Sequence, residues 1–423
     1  MSENFVGRGL LQIGTVPSSV LVVALVIAST LLGDSMLYAV LPSQPDAWKL
    51  SIPAVGVLLS VNRLVRLLTN SLAAMAFERF GSAAPFSVAI LLSVIVTLIY
   101  GWATAFVVLL IARLTWGACW SLLRLGGFWS VLNEATDDNR GFLMGVYLAI
   151  IRMGSVLGAL IGAVLTDLFG HRLTLTLFAA TMAVTGMFWF LSSRDQRFHQ
   201  RDRMDVGVRV REGLVVVLTD RRLLVTGSGG LITGLVFSGL VTASLGFFLG
   251  ERFGQEIAFA GVAVGVTSIT GLLLAAQWSL GLPLAPLLGY LSDRFGRLPL
   301  ISSGFMIGAL GLTLLAIASS LHIILIGVLL AFVAAMALTV ILSATAGDLA
   351  PPERRSAVMS SYVTFLDLGS ALGPLIGLSF ASLATLQAVY GSAAVVLLLA
   401  AVLFRRAFSG NEFHGCDNFS APS

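Results

Sequence analysis

The sequence predicts an all-α integral membrane protein with twelve transmembrane helices in two pseudo-symmetric six-helix halves. Three observations carry that expectation. Hydrophobic residues make up 57% of the chain and charged residues only 11%, with a mean hydropathy of +0.96, where soluble domains carry charge on about a quarter of their residues. The 423 residues divide into apolar runs of the length that a hydrocarbon core of about 30 Å demands, roughly 20 residues each. Polar landmarks also recur at one constant offset.

Taken in order, the apolar runs place spans at 19–41, 53–77, 85–103, 105–132, 142–165, 173–192, 223–248, 258–288, 299–318, 322–345, 357–383 and 386–404. The first run lacks a small-residue cleavage site before the next polar loop and reads as a retained helix. Residues 1–192 then form an N-terminal six-helix bundle, 193–222 a cytoplasmic linker, 223–404 a second bundle and 405–423 a cytoplasmic tail. The linker mixes both signs of charge and fits a solvated connection carrying a short amphipathic helix.

Orientation follows from the basic residues. With the N-terminus inside, seventeen fall on the cytoplasmic side and only Lys49, Arg172 and Arg252 outside, as the positive-inside rule requires. The net charge of +4 calls for no nucleic-acid partner. Cys119 and Cys416 suggest no disulfide.

A shift of 215 residues lays Glu78 on Asp293, Arg79 on Arg294, Gly81 on Gly296, Arg140 on Arg355, Gly154 on Gly369 and Gly158 on Gly373. Such a repeat, six helices, a cytoplasmic linker and six more in the same orientation, describes parallel halves related by an axis along the membrane normal.

GYLSDRFGR at 289–297, with Gly289, Asp293, Arg294, Gly296 and Arg297, resembles the G-x-L-x-D-R-x-G-R loop of the major facilitator superfamily (MFS). AMAFERFGSA is a degenerate first copy that keeps Glu78, Arg79 and Gly81. RLTWG at 113–117 is similar to the family's fourth-helix R-x-x-x-G motif, and DLGSALGPLIG at 367–377 to its glycine-rich eleventh helix. GSVLGALIG at 154–162 has the glycine spacing of the fifth-helix counterpart without its proline, and close helix packing explains it best. The resemblance implies the MFS fold, secondary active transport by alternating access, and a gating role for the two charged loops.

Seven charged residues fall within predicted spans: Asp34, Arg63, Arg66, Arg113, Arg124, Arg152 and Asp367. Each costs at least about 2.5 kcal/mol at mid-bilayer, so each should face a partner or a cavity. Counted from the outer helix ends, Asp34 and Arg113 lie at one depth, and the resemblance puts their helices on the same cavity wall. An Asp34–Arg113 pair is expected, with Asp34 as the candidate proton carrier once the contact breaks. Asn62, Arg63, Arg66 and Asn70 form one polar stripe on the second helix. Family geometry sets that helix against the eleventh, so Asp367 is expected to meet Arg63 or Arg66. Arg152, the repeat mate of Asp367, is expected near Gln277, the repeat mate of Asn62.

Five arginines against two aspartates favour an anionic substrate, because guanidinium forks match carboxylates and phosphates. The expected function is a secondary transporter of a small solute, anionic in kind, with proton coupling through Asp34. A proton-coupled exporter of hydrophobic drugs, lined by Trp120, Trp129, Phe128 and Phe247, is the first alternative. A transport-inactive receptor or scaffold is the alternative from another class. No cofactor is expected and an enzyme is disfavoured: His171, His199, His322 and His414 lack metal-ligand spacing, and Lys49, the single lysine, forms no P-loop. The expected partners are a small-molecule substrate, the lipid bilayer and protons, and the expected location is a bacterial plasma membrane with both termini inside.

Overall fold

The computed structural model describes residues 16–81, 83–136, 139–192, 206–259 and 262–408. The first bundle contains α1 (Ser18–Ser43), α2 (Ile52–Phe80), α3 (Ala83–Trp102), α4 (Phe106–Glu134), α5 (Arg140–Phe169) and α6 (His171–Ser192). The linker helix α7 (Val206–Thr219) leads into α8 (Arg221–Thr233), which continues through a π-helical stretch, Gly234–Val241, into α9 (Thr242–Phe253). A β-hairpin of β1 (Glu256–Phe259) and β2 (Val262–Gly265) precedes α10 (Val266–Phe295). The chain ends in α11 (Arg297–Ile317), α12 (Leu321–Leu349), α13 (Arg355–Ala381) and α14 (Leu386–Phe408).

Among the described residues eleven helices are long and apolar enough to cross a membrane. The pair Val266–Gly281 and Pro283–Phe295, bent by 46°, makes twelve when taken as one span. Pro283 has no amide for the carbonyl one turn back, which explains the bend. Local chemistry sets other boundaries. Pro53 sits in the first turn of α2, where a missing N–H costs nothing. The Asp220 carboxylate accepts from the amides of Arg222 and Leu223 at 2.8 and 3.0 Å and caps α8. The α2–α3 and α10–α11 turns pass through Gly81 and Gly296 at φ 73° and 86°, which explains why both copies of the charged loop hold glycine there.

One span differs from expectation. The eighth was expected from residue 258, but residues 256–265 pair as the antiparallel hairpin and the helix starts at Val266. EIAF and VAVG are short apolar runs on either side of Ala260 and Gly261, and hydropathy alone does not separate a buried helix turn from a strand. The amphipathic linker helix is present as α7. Residues 193–205 of the linker and 409–423 of the tail, including Cys416, lie outside the described residues.

The chain packs as two compact units, Met1–Met204 with Ala243–Ser279, and Asp205–Thr242 with Leu280–Ser423. In the first, α1 runs through the interior, and α5 crosses it where Gly154 and Gly158 lie on the carbonyls of Ala28 and Leu32. Residues 243–279 fall in the second repeat by sequence, yet they pack with the first six helices. Gly246 and Gly271 let them approach the α1 carbonyl of Ala39 and the α5 carbonyl of Ala159. The Asp167 carboxylate at the end of α5 accepts from the backbone and hydroxyl of Ser268 at 2.8 and 2.6 Å, satisfying an orphan amide in the first turn of α10. Gln44 completes the join, donating to Asp167 at 3.2 Å and to Thr267 at 2.9 Å. In the second unit, Gly369 and Gly373 of α13 lie on the carbonyls of Leu231 and Leu235. Gly213 of α7 lies on the α13 carbonyl of Ala357.

Candidate functional site

The interior of the first unit is polar where α1, α2 and α4 meet. Asp34 is 7% exposed and Arg113 is 1% exposed, and Arg113 Nη1 donates to Asp34 Oδ1 at 2.5 Å. Removing two charges from water is costly, and a close charge-assisted bond is what makes such burial tolerable. The same carboxylate oxygen accepts from Asn62 Nδ2 at 3.1 Å, and Asn62 is fully buried.

Gly117 explains how α2 comes so close. It lies one turn beyond Arg113 on the same face of α4, and a Cβ there would stand 2.5 Å from the Asn62 carbonyl. The arginine and glycine of RLTWG are therefore one device: Arg113 reaches Asp34 while Gly117 admits the helix that carries Asn62.

The arginines of α2 engage the same cluster. Arg66 Nη2 donates to Asn62 Oδ1 at 3.0 Å, and its guanidinium lies 5.6 Å from the Trp120 ring centre. Arg63 donates through Nε to the Tyr38 hydroxyl at 3.2 Å and lies 5.2 Å from that ring. Arg113 lies 5.0 Å from the Tyr100 ring and 6.0 Å from the Tyr38 ring. Rings at these distances add cation–π attraction to the hydrogen bonds.

Asp34, Asn62, Arg63, Arg66 and Arg113 are thus brought into one network within the first unit. Arg152 is not part of it. It lies exposed on α5 and forms no ion pair or hydrogen bond among the described residues. Gln277 is half-buried on α10 and close to its level, because Gly271 meets Ala159 on helices that run in opposite directions. Asp367 lies half-buried on α13 in the other unit, and Arg124 is half-buried on α4.

In the sequence Asn62 belongs to a polar stripe with Arg63, Arg66 and Asn70, and neither its contact with Asp34 nor the parts played by Tyr38 and Tyr100 are expected from that pattern. The depth count that matched Asp34 with Arg113 could have found Asn62, ten residues into α2 from Ile52. Nothing in the sequence marked the tyrosines, whose role depends on rotamers and helix rotation.

A family model described as Major Facilitator Superfamily matches residues 23–282 and 268–414. The chain belongs to the major facilitator superfamily. It is therefore a multi-pass membrane protein of a transporter family. The human synaptic vesicular amine transporter is 28% identical over 135 residues, 31% of this chain and 26% of that protein, so the match spans about a quarter of that relative's length. The MFS-type transporter YuxJ of Bacillus subtilis (strain 168) is 25% identical over 241 residues, 56% of this chain and 58% of that one. The solved nucleoside transporter NupG superposes with a TM-score of 0.78 at 13% identity, covering 93% of this chain and 100% of that one. That likeness shows the MFS fold alone.

The two MFS loop motifs are built differently here. In the second copy Arg297 reaches Asp293 at 2.8 Å and Asp348, near the end of α12, at 3.1 Å, and it also donates to Ser292. Arg294 donates to Tyr290 at 3.5 Å, and Gly289 lies half-buried one residue before that tyrosine. In the first copy Glu78 and Arg79 are exposed and form no ion pair among the described residues. Arg79 lies over the adjacent Phe80 ring at 5.4 Å.

Proposed function

We propose that this MFS transporter carries a small anion by alternating access, with a proton riding on Asp34. The observation that supports the reading is a charge imbalance. Away from the helix ends, α1 to α6 hold Arg63, Arg66, Arg113, Arg124 and Arg152 against the single carboxylate of Asp34. Positive charge in that excess at membrane depth is stabilised by an anion of matching geometry, and the half-buried Arg63 and Arg66 at the Tyr38 and Trp120 rings are the first contacts for it. When α1 or α4 shifts, Arg113 leaves Asp34, and the stranded carboxylate takes a proton. Asp34 then crosses neutral, which lets the helices rearrange without carrying a bare charge through the membrane interior. The loops at 78–81 and 289–297 gate the movement in this reading. The arginine distribution supports both termini on the cytoplasmic side, and the membrane in this reading is a bacterial inner membrane.

A second reading is proton-coupled export of a hydrophobic amine. The likeness to vesicular amine transporters and the Trp120 ring favour it.

Ligand-dependent thermal stabilisation of the purified chain separates the two, because a ligand that binds only the native state raises its stability by mass action. Small anions should stabilise wild type in a concentration-dependent way and lose that effect in Arg63→Gln. Stabilisation by lipophilic amines, unchanged in Arg63→Gln, would overturn the anion reading in favour of the amine one. Proteoliposomes with an imposed pH gradient then test the proton: Asp34→Asn should abolish gradient-driven accumulation and leave downhill exchange.

A further inference from the structure

Asn62 does something in this network that neither charged residue can do. Its amide has two ends and both are used: Nδ2 donates to Asp34 Oδ1 at 3.1 Å and Oδ1 accepts from Arg66 Nη2 at 3.0 Å. The opposite amide orientation would set NH2 against the guanidinium and the oxygen against the carboxylate, so the two partners together fix this one. The side chain is fully buried and its backbone is clamped by Gly117, so it turns about its own χ angles and does not drift away.

We propose that Asn62 is a coupling relay, a positioning residue through which an anion at Arg66 and a proton at Asp34 sense each other. This rests on the reading of the site as a proton and anion site. An anion that draws Arg66 off leaves the Asn62 oxygen without a donor in a buried place, an unfavourable state. Rotation of the amide points that oxygen at Asp34, which answers it only if its carboxyl carries a proton to donate. The reverse also holds: a protonated Asp34 donates to the Asn62 oxygen, the amide turns, and Arg66 is released toward the anion. Each ligand therefore favours the other by the same factor. The proton comes from solvent and returns to it, and no covalent bond changes. The titratable and charged groups facing Asp34 are Arg113 from α4, Tyr100 from α3, Arg63 and Arg66 from α2, and Tyr38 on its own helix. On its α5 side α1 meets glycines 154 and 158.

The test uses the full chain in detergent with two probe anions, benzenesulfonate and sulfate, whose charge stays fixed between about pH 5 and pH 8, and reads anion affinity from thermal stabilisation. In wild type the affinity should rise as pH falls, by about 5-fold to 150-fold, the usual range of coupling between two sites. Asn62→Ala should keep the low-pH affinity within a few fold and flatten the pH dependence to under about 2-fold. Asn62→Ser, whose short hydroxyl cannot bridge both partners, should do the same and serves if the alanine variant fails to fold. Wild-type pH dependence that persists in the Asn62 variants sinks the relay and leaves the anion site standing. No stabilisation of wild type by either anion at any pH sinks the anion reading and the relay with it.

Discussion

The centres of the two repeats share a scaffold and differ in chemistry. In the first, Gly154 and Gly158 lie on the carbonyls of Ala28 and Leu32; in the second, Gly369 and Gly373 lie on those of Leu231 and Leu235. The glycines are 215 positions apart and their partners 203, so the second copy is twelve residues longer than the first between its first and second helices. The hairpin Glu256–Gly265 lies in that stretch. Aligned this way, Asp34 corresponds to Phe237 and Arg113 to Val328, both fully or almost fully buried. The glycine seam positions a crossing helix whatever fills the centre. An ion pair fills one centre and an aromatic ring the other, so the scaffold does not dictate the chemistry.

The comparison is broken most sharply at the ion pair. Arg113→Leu leaves Asp34 buried without its counter-ion and should destabilise the protein by about 3–5 kcal/mol, read from denaturant unfolding, with loss of transport. A companion Asp34→Asn that restores much of that stability would show that the cost lies in the stranded charge. An Arg113→Leu variant as stable as wild type would mean that the pair adds nothing to stability.

Phe237→Ala, which removes a buried ring beside Gly308, should cost a similar amount, about 3–5 kcal/mol. Here transport of the surviving folded fraction should keep its pH dependence, because no titratable group is touched. A changed pH profile in Phe237→Ala would show that the proposed proton site is not confined to the first repeat.

The seams should respond alike and less strongly. Gly158→Ala and Gly373→Ala each force a Cβ against a helix carbonyl, with an expected loss of about 1–3 kcal/mol from overpacking. Unequal losses would show that one crossing yields more easily. The smallest effect belongs to the charged loop: Arg297→Gln removes contacts to partly exposed carboxylates and should change stability by about 0–1 kcal/mol. A much lower transport rate at unchanged stability would mark the loop as a gate.

Much of this could be read from the chain. Span positions followed from apolar run length, the paired seams from one offset, and Asp34–Arg113 from equal depth along two helices that the family resemblance sets side by side. The limits were equally physical. The hairpin before α10 was missed because four-residue apolar runs look the same as strand or helix turn. The first compact unit includes residues 243–279, against the repeat boundary, because packing follows shape and not ancestry.

What the sequence determined by itself was membrane residence, repeat and fold, because hydropathy, helix rise and spacing are properties of the chain taken one segment at a time. Which polar groups meet in one network was decided only by the tertiary structure. Asn62 touches Asp34 because Gly117, on a third helix, leaves room for its backbone. Tyr38 meets Arg63 and Arg113 because α1 is rotated to face both. Contacts of that kind depend on the rotation and closeness of several helices at once, which no single segment encodes.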